Sequence, residues 1–308
     1  MKTSHVVRGL FGASLLLAAV LSHGQSAKST MGVASITPTQ SLREKVERAG
    51  KGMSLGRLTE SMDHQLIDRL NATRKFDVVA DSDLEELIKK QKVAQSELFD
   101  KGDKSLAQTG KLAGVKYYLV TAIDDFEDYS ETAVFEGTGR SATRRMIRLS
   151  AVGKIYDSTT GKLLESASFH CSNKDLMNER SYSTKDGVLS DELLVAMARE
   201  MAGRIANRVT DVIFPAKVLA RRDMQITLNR GDGTGVAVDQ VWDLFAAGED
   251  LVDPDTKEVL GKEEIPVGKA RITGVQPKTA TAELIEDKGV QKGAIARPVV
   301  AKPAPEAQ

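Results

Sequence analysis

A single cysteine, Cys171, stands in 308 residues, so no intrachain disulfide can form and stability must come from packing. Aromatic residues make up only 5% of the chain, which leaves little material for stacking on bases or sugar rings. Neither sign of charge dominates: 43 basic residues face 43 acidic ones, and nothing draws the chain to nucleic acid or to an anionic surface. The four histidines, His5, His23, His64 and His170, form no HExxH or paired spacing, and no GxSxG is present. Zinc-peptidase and hydrolase-elbow chemistry are therefore excluded. The reading expects no catalytic residue, no metal and no cofactor.

Long apolar runs are also scarce. Leu10–Leu21 follows Lys2 and Arg8 and has signal-peptide length, short of a comfortable bilayer span. Ser22 and Gly24 put small residues at the −3 and −1 positions of a cut before Gln25, so residues 1–24 read as a signal peptide. No cysteine lies near that junction to carry a lipid. The expectation is an exported chain in the periplasm, with at most an outer-membrane association.

What is present is organised around Arg145–Phe169. Ile147, Leu149, Ala151, Gly153 and Ile155 alternate with Met146, Arg148, Ser150, Lys154 and Tyr156, the two-residue period of a half-buried strand. Asp157-Ser158-Thr159-Thr160-Gly161 supplies a turn, and Lys162–Phe169 returns as a second strand. Such a hairpin needs a sheet and a covering layer. Met31–Thr37, Phe76–Val79 and Val115–Ile123 read as further strands. Leu55, Leu58, Met62, Leu66 and Leu70 mark a helix over Met53–Asn71. Leu194, Met197, Met201, Ile205, Val209 and Val212 mark another, opened at Asp191 and closed at Phe214-Pro215. Asp81 caps a helix carrying Leu84, Leu87 and Ile88, and Lys104–Leu112 reads as a short one ended by Gly114.

The predicted fold class is α/β (α+β), a mixed sheet covered by helices over residues 25–214. Beyond Pro215 the helical period disappears. Ala216–Arg221, Gln225–Asn229, Gln240–Ala246, Val267–Gln276, Thr279–Ile285 and Ala294–Pro298 are short strands between Gly-, Asp- and Pro-rich turns. They predict a small all-β barrel over residues 215–299, followed by a disordered tail at 300–308.

Each chemical candidate has a plainer explanation. Gly231-Asp232-Gly233-Thr234-Gly235 has the look of a phosphate cradle, but no GK[ST] or helix follows, so a turn between strands is expected. Asp250, Asp253 and Asp255 lack the glycine and glutamate of a calcium loop and read as a solvated turn. Asp124, Asp125, Glu127 and Asp128 read as a charged exit to solvent, and Arg144-Arg145 as a surface pair. His170 and Cys171 are adjacent on a strand and point to opposite faces, so the thiol has no base beside it.

The order of elements resembles the periplasmic domain of the CsgG family, the curli production assembly/transport proteins. The resemblance rests on Gly32-Val33-Ala34, on Leu66-Ile67-Asp68-Arg69-Leu70 and on Lys75-Phe76-Asp77-Val78-Val79. It continues through Ala113–Thr121 and is most specific in the hairpin from Ile147-Arg148-Leu149 to Asp157–Leu164, covering residues 31–214. Residues 216–298 resemble the C-terminal barrel domain of the flagellar assembly protein FlgT, through Asn229-Arg230-Gly231 and Gly235–Val241.

The family resemblance implies an oligomeric, lipid-held channel of the outer membrane, with two membrane hairpins per subunit where this chain has residues 127–145 and 170–190. A membrane strand needs about 9–11 residues with every second one apolar. Here Glu127, Asp128, Glu131, Glu136 and Arg140 break the first segment, and Lys174, Asp175, Glu179, Arg180, Lys185 and Asp186 break the second. Burying one such charge at mid-membrane costs about 2–4 kcal/mol. The expectation is the fold without the pore: a non-enzymatic envelope protein, a homo-oligomer binding other envelope or secreted proteins. Tyr129, Phe135, Leu176, Met177 and Tyr182 are the candidate membrane or partner contacts. The alternatives are an outer-membrane channel for curli-like subunits and an enzyme with an acidic site at residues 124–128.

Overall fold

The computed structural model describes residues 28–81, 114–135, 140–176, 191–257 and 259–299. The signal peptide expected at 1–24, the helices expected after Asp81 and at Lys104–Leu112, the segment 177–190 and residues 300–308 lie outside these residues.

The first sheet runs β3-β1-β4-β5-β6, with β2 (Thr37–Pro38) set against β4. β1 (Ser29–Val33) lies parallel to β3 (Phe76–Ala80) and to β4 (Tyr117–Phe135). β4, β5 (Arg140–Asp157) and β6 (Leu163–Ser172) follow one another antiparallel. The sheet is therefore mixed, as the element order predicts. The β5–β6 turn forms as its residues require: Asp157 Oδ1 accepts from the backbone of Thr159 and Thr160 at 2.8 and 3.0 Å, and Gly161 takes φ +74°.

Two long helices cover one face. α2 (Gly52–Ala72) buries Leu55, Leu58, Met62, Leu66 and Leu70, and α3 (Glu192–Ile213) buries Leu194, Met197, Met201, Ile205 and Val209. They meet Leu119, Ile123, Ile147, Leu149, Ala151 and Ile155 in one core. Each fully buried Leu, Ile or Met side chain contributes roughly 1.5–3 kcal/mol of transfer free energy. Phe214 donates to Thr210 O at 2.8 Å, and Pro215 then ends α3.

A further helix, α1 (Gln40–Arg48), precedes α2, in a stretch where the sequence reading places no helix. Only Leu42 and Val46 face inward, and Thr39 Oγ1 accepts from Leu42 N at 3.4 Å. Two apolar positions one turn apart are too few to announce a period.

The second sheet is antiparallel throughout, in the order β12-β9-β10-β11-β8-β7. Its strands are β7 (Val218–Arg222), β8 (Gln225–Leu228), β9 (Val241–Val252), β10 (Val259–Val275), β11 (Ala280–Asp287) and β12 (Ile295–Pro298). Ile226, Leu228, Trp242, Leu244, Ala270, Ile272 and Ala282 build a core of its own. The expected barrel requires correction. β7 and β12 meet through one antiparallel bridge, Lys217–Ile295, with Val218 N donating to Ala294 O at 2.9 Å. The sheet thus curls back on itself without a closed barrel ladder, because β7 and β12 are five and four residues long.

Candidate functional site

β4 and β5 stay paired from Tyr117–Asp157 out to Phe135–Arg140. β1 and β2 leave β4 by Ile123, and β6 reaches no further along β5 than Arg148. Glu127–Phe135 and Arg140–Arg148 therefore project as a two-stranded ribbon, about 30 Å long at 3.4 Å per residue. The exit to solvent expected at Asp124–Asp128 is corrected: the strand continues through it, past a bulge between Ile123 and Asp125. β-branched pairs such as Thr132 and Thr143, whose hydroxyls are 3.1 Å apart, suit a pleated surface even where no core lies beneath.

The four acids do not converge. Asp125 faces Lys45 at 3.2 Å, Glu127 faces Arg148 at 3.5 Å, and Asp124 is exposed. Asp128 turns inward and takes a two-pronged contact from Arg145: Nε to Oδ1 and Nη2 to Oδ2, both at 2.7 Å. The reading of Arg144-Arg145 as a surface pair is thus corrected for Arg145, which is 6% exposed. Its Nη2 also lies 3.5 Å from Ser54 Oγ on α2, and its Nη1 is 4.0 Å from Asp191 at the start of α3.

Asn173 closes the same root. Its Oδ1 accepts from Ile147 N at 2.6 Å and its Nδ2 donates to Arg145 O at 2.8 Å. Asn173 is held in place by a short 3-10 turn (Asn173–Asp175), where Asp175 Oδ2 accepts from Ser172 N and Oγ. Burial raises the Asp128 carboxyl, but the Arg145 contacts outweigh it and leave the group below the usual carboxylate range. Arg145 is pushed up by the same partner. A charge pair so tightly matched has no proton to exchange at neutral pH. It anchors the ribbon to both helices.

The predicted contact residues scatter. Tyr129 is partly exposed on the ribbon, with Met146 opposite, and Phe135 ends β4 opposite Arg140. Leu176 is partly buried and packs against the first core. Met177 and Tyr182 lie outside the described residues. Cys171 is buried and its thiol is pushed up to about 12 by desolvation, consistent with a packed residue. Across the strands, Ser150 Oγ meets His170 Nδ1 at 2.6 Å on the exposed surface.

A second constellation lies where the two sheets meet. Gly233 (φ +78°) approaches α2 so closely that a Cβ would sit 2.6 Å from Ala72 O. At Gly235 (φ +77°) a Cβ would sit 2.5 Å from Asn207 Nδ2 on α3. The glycines of this loop let the second sheet dock, and a strand follows them, as the sequence reading expects. Arg230, fully buried beside them, donates from Nη2 to Asp211 Oδ1 and to Phe214 O, each at 2.6 Å. Its Nε and Nη1 have no partner among the described residues. Burial pulls its proton affinity down, and Asp211 pulls the other way. Lys75 Nζ donates to Asn229 O at 2.9 Å across the same seam. Nothing in the spacing of Asn229-Arg230-Gly231 announces that role.

Among the described residues no helix is long and apolar enough to cross a membrane, which says nothing of strands. No group of three or more His, Cys, Asp or Glu among them is placed to hold a metal.

No curated protein matches the chain. Solved structures similar to it include a PelC dodecamer from Paraburkholderia phytofirmans, at 12% identity over 58% of this chain and 86% of that one, TM-score 0.30. The hypothetical protein CT253 from Chlamydia trachomatis is similar at 10% identity over 61% and 99%, TM-score 0.31. Lipoprotein GNA1162 from Neisseria meningitidis is similar at 14% identity over 58% and 99%, TM-score 0.27. The family model described as curli production assembly/transport component CsgG matches residues 22–178, half of the chain. The match takes in the mixed sheet and the first of its covering helices, and the chain belongs to the CsgG family.

Proposed function

We propose that the protein is a non-enzymatic component of the cell envelope that works by protein–protein contact in an export or surface-appendage assembly complex. Family membership supports the setting. The observation that carries the reading is the charge along the projecting ribbon. Glu127 pairs with Arg148, and the register sets Glu131 opposite Arg144. A ribbon with opposite charges set across from each other at Glu127–Arg148 and Glu131–Arg144 keeps its hydration in water and would lose it in lipid. In this reading Tyr129, Phe135, Leu176, Met177 and Tyr182 lie in or beside the contact segments, the chain forms a homo-oligomer, and the partners are envelope or secreted proteins. Residues 25–214 and 215–299 would be two domains, the second a FlgT-like module, after a signal peptide at 1–24 and before a tail at 300–308.

Fractionation tests the proposal. The protein is expected in the osmotic-shock extract without detergent, and chemical crosslinking in cells is expected to give a defined oligomer. Recovery only in detergent, together with conductance steps in planar bilayers, would overturn it in favour of an outer-membrane channel. One observation favours that second reading. The ribbon presents nine residues per strand and reaches the roughly 9–11 that a membrane strand needs.

A further inference from the structure

We infer that the seam between the two sheets holds a binding site for a small organic anion, a phosphate or carboxylate carried on an apolar body. A cleft of about 580 Å³ opens there between α2, α3, the turn after β6 and the glycine loop. That volume suits a compact ligand. Its lining holds three arginines and three carboxylates, but the pairing among them is uneven. Arg204 lines the cleft but is already engaged, with Asp175 at 2.8 Å, Glu200 at 2.8 Å and His170 O at 2.6 Å. Arg69 from α2 and Arg199 from α3 also line it, and neither has a side-chain partner among the described residues. Against these two guanidiniums stands one unengaged carboxylate, Asp232. Leu176, Val236 and Ala237 supply an apolar wall.

The floor gives the second observation. Ala196, Arg199, Gly203 and Asn207 recur at helical spacing along α3 on the cleft side. Gly203 lies in the interior of a 22-residue helix, where glycine is less stable than alanine. Among the described residues no packing demands it: a Cβ there would meet none of them within 4 Å, and its φ lies outside the left-handed region. A destabilising glycine with open space over it is what a helix needs where another molecule must approach its backbone. That approach lies in the same cleft as the Arg69 and Arg199 guanidiniums, the group whose planar fork matches an oxyanion. The inference does not depend on the function proposed above.

Thermal unfolding of the full chain tests it, with inorganic phosphate, hexyl phosphate and hexanol as probes. Hexyl phosphate is expected to raise the melting temperature with concentration, as linkage requires, phosphate to raise it less, and hexanol not at all. Arg69→Gln combined with Arg199→Gln is expected to abolish the hexyl phosphate shift. Gly203→Ala is expected to raise the unliganded melting temperature by roughly 2 °C and to weaken the shift. Gly203→Leu is expected to remove it. Vesicles of phosphatidylglycerol separate two sources of the same chemistry. Co-sedimentation lost in the double glutamine variant assigns a lipid headgroup, and a hexyl phosphate shift without co-sedimentation assigns a free small molecule. An undiminished shift in the double glutamine variant, or no shift with either phosphate probe, would overturn the site.

Discussion

The molecule puts out two ribbons of similar build that are rooted in different ways. One is the far half of β4–β5. The other is the outer part of β9–β10, Ala246–Val252 against Val259–Ile265, where β12 and β11 no longer flank the pair. The first is gripped at its root by Asp128, Arg145 and Asn173. The second carries exposed Leu251, Val252 and Val259 at its tip, each half exposed or more. Its root is steric: a Cβ at Gly268 would run into Glu286 O and lie 2.8 Å from Val290 Cγ2. A ribbon can thus be aimed either by a buried charge pair wired into helices or by two backbones pressed together. Only the first kind of root should respond to pH and to charge.

The largest effect is expected at the first root. Arg145→Ala leaves Asp128 buried without its partner, at a cost of about 3–5 kcal/mol in urea unfolding. Replacing both residues, Asp128→Leu with Arg145→Met, should recover most of that loss, because no uncompensated charge remains. If the single change costs under about 1 kcal/mol, the pair is not an anchor and the contrast between the roots fails.

Acid sharpens the same contrast. The folded-state pKa of Asp128 is depressed, so its contribution to stability is complete above the ordinary carboxylate value near 4 and is lost as pH falls through the lower folded value. Unfolding followed from about pH 5 downward should show a slope in the wild type that Asp128→Leu/Arg145→Met reduces. Gly268→Ala should leave the slope unchanged.

At the second root, Gly268→Ala should cost about 1–3 kcal/mol by forcing β10 away from β11, at any pH. The expected readout is faster amide exchange across Lys269–Ile272 and no change at Met146–Ile155. Protection lost equally in both sheets would mean that they unfold as one unit and that the roots are not separable.

Parts of this contrast were legible in the sequence and parts were not. The alternation from Ile147 to Ile155 and the stripes of α2 and α3 follow from one-body burial, which leaves a period in the chain. Arg145 and Asp128 carry no such mark. They meet only because the hairpin register brings residues 17 apart onto one face and α2 roofs them over, so each alone reads as a surface charge. The outer halves of β9 and β10 were missed for a related reason. With no core beneath them they need no apolar alternation, and Asp250 with Lys262, 2.9 Å apart, stand where a buried strand would have placed aliphatics. Gly203 was hidden inside a helix stripe that reads correctly without it.

The smallest expected effect lies at the tip of the second ribbon. Leu251→Ser and Val259→Ser remove apolar side chains that rest on little else in the chain, so each should change unfolding free energy by less than about 0.5 kcal/mol. The turn between them should be untouched, since Asp253 Oδ1 holds the backbone of Asp255 and Thr256 at 2.8 and 3.0 Å without help from either residue. A cost above about 1 kcal/mol would mean that the tip is packed in the isolated chain, and the two ribbons would then differ in sequence but not in kind. A small cost leaves the tip as apolar surface kept in water at the end of a lever, where it adds nothing to folding. That is the place to look for a residue retained for something other than the fold.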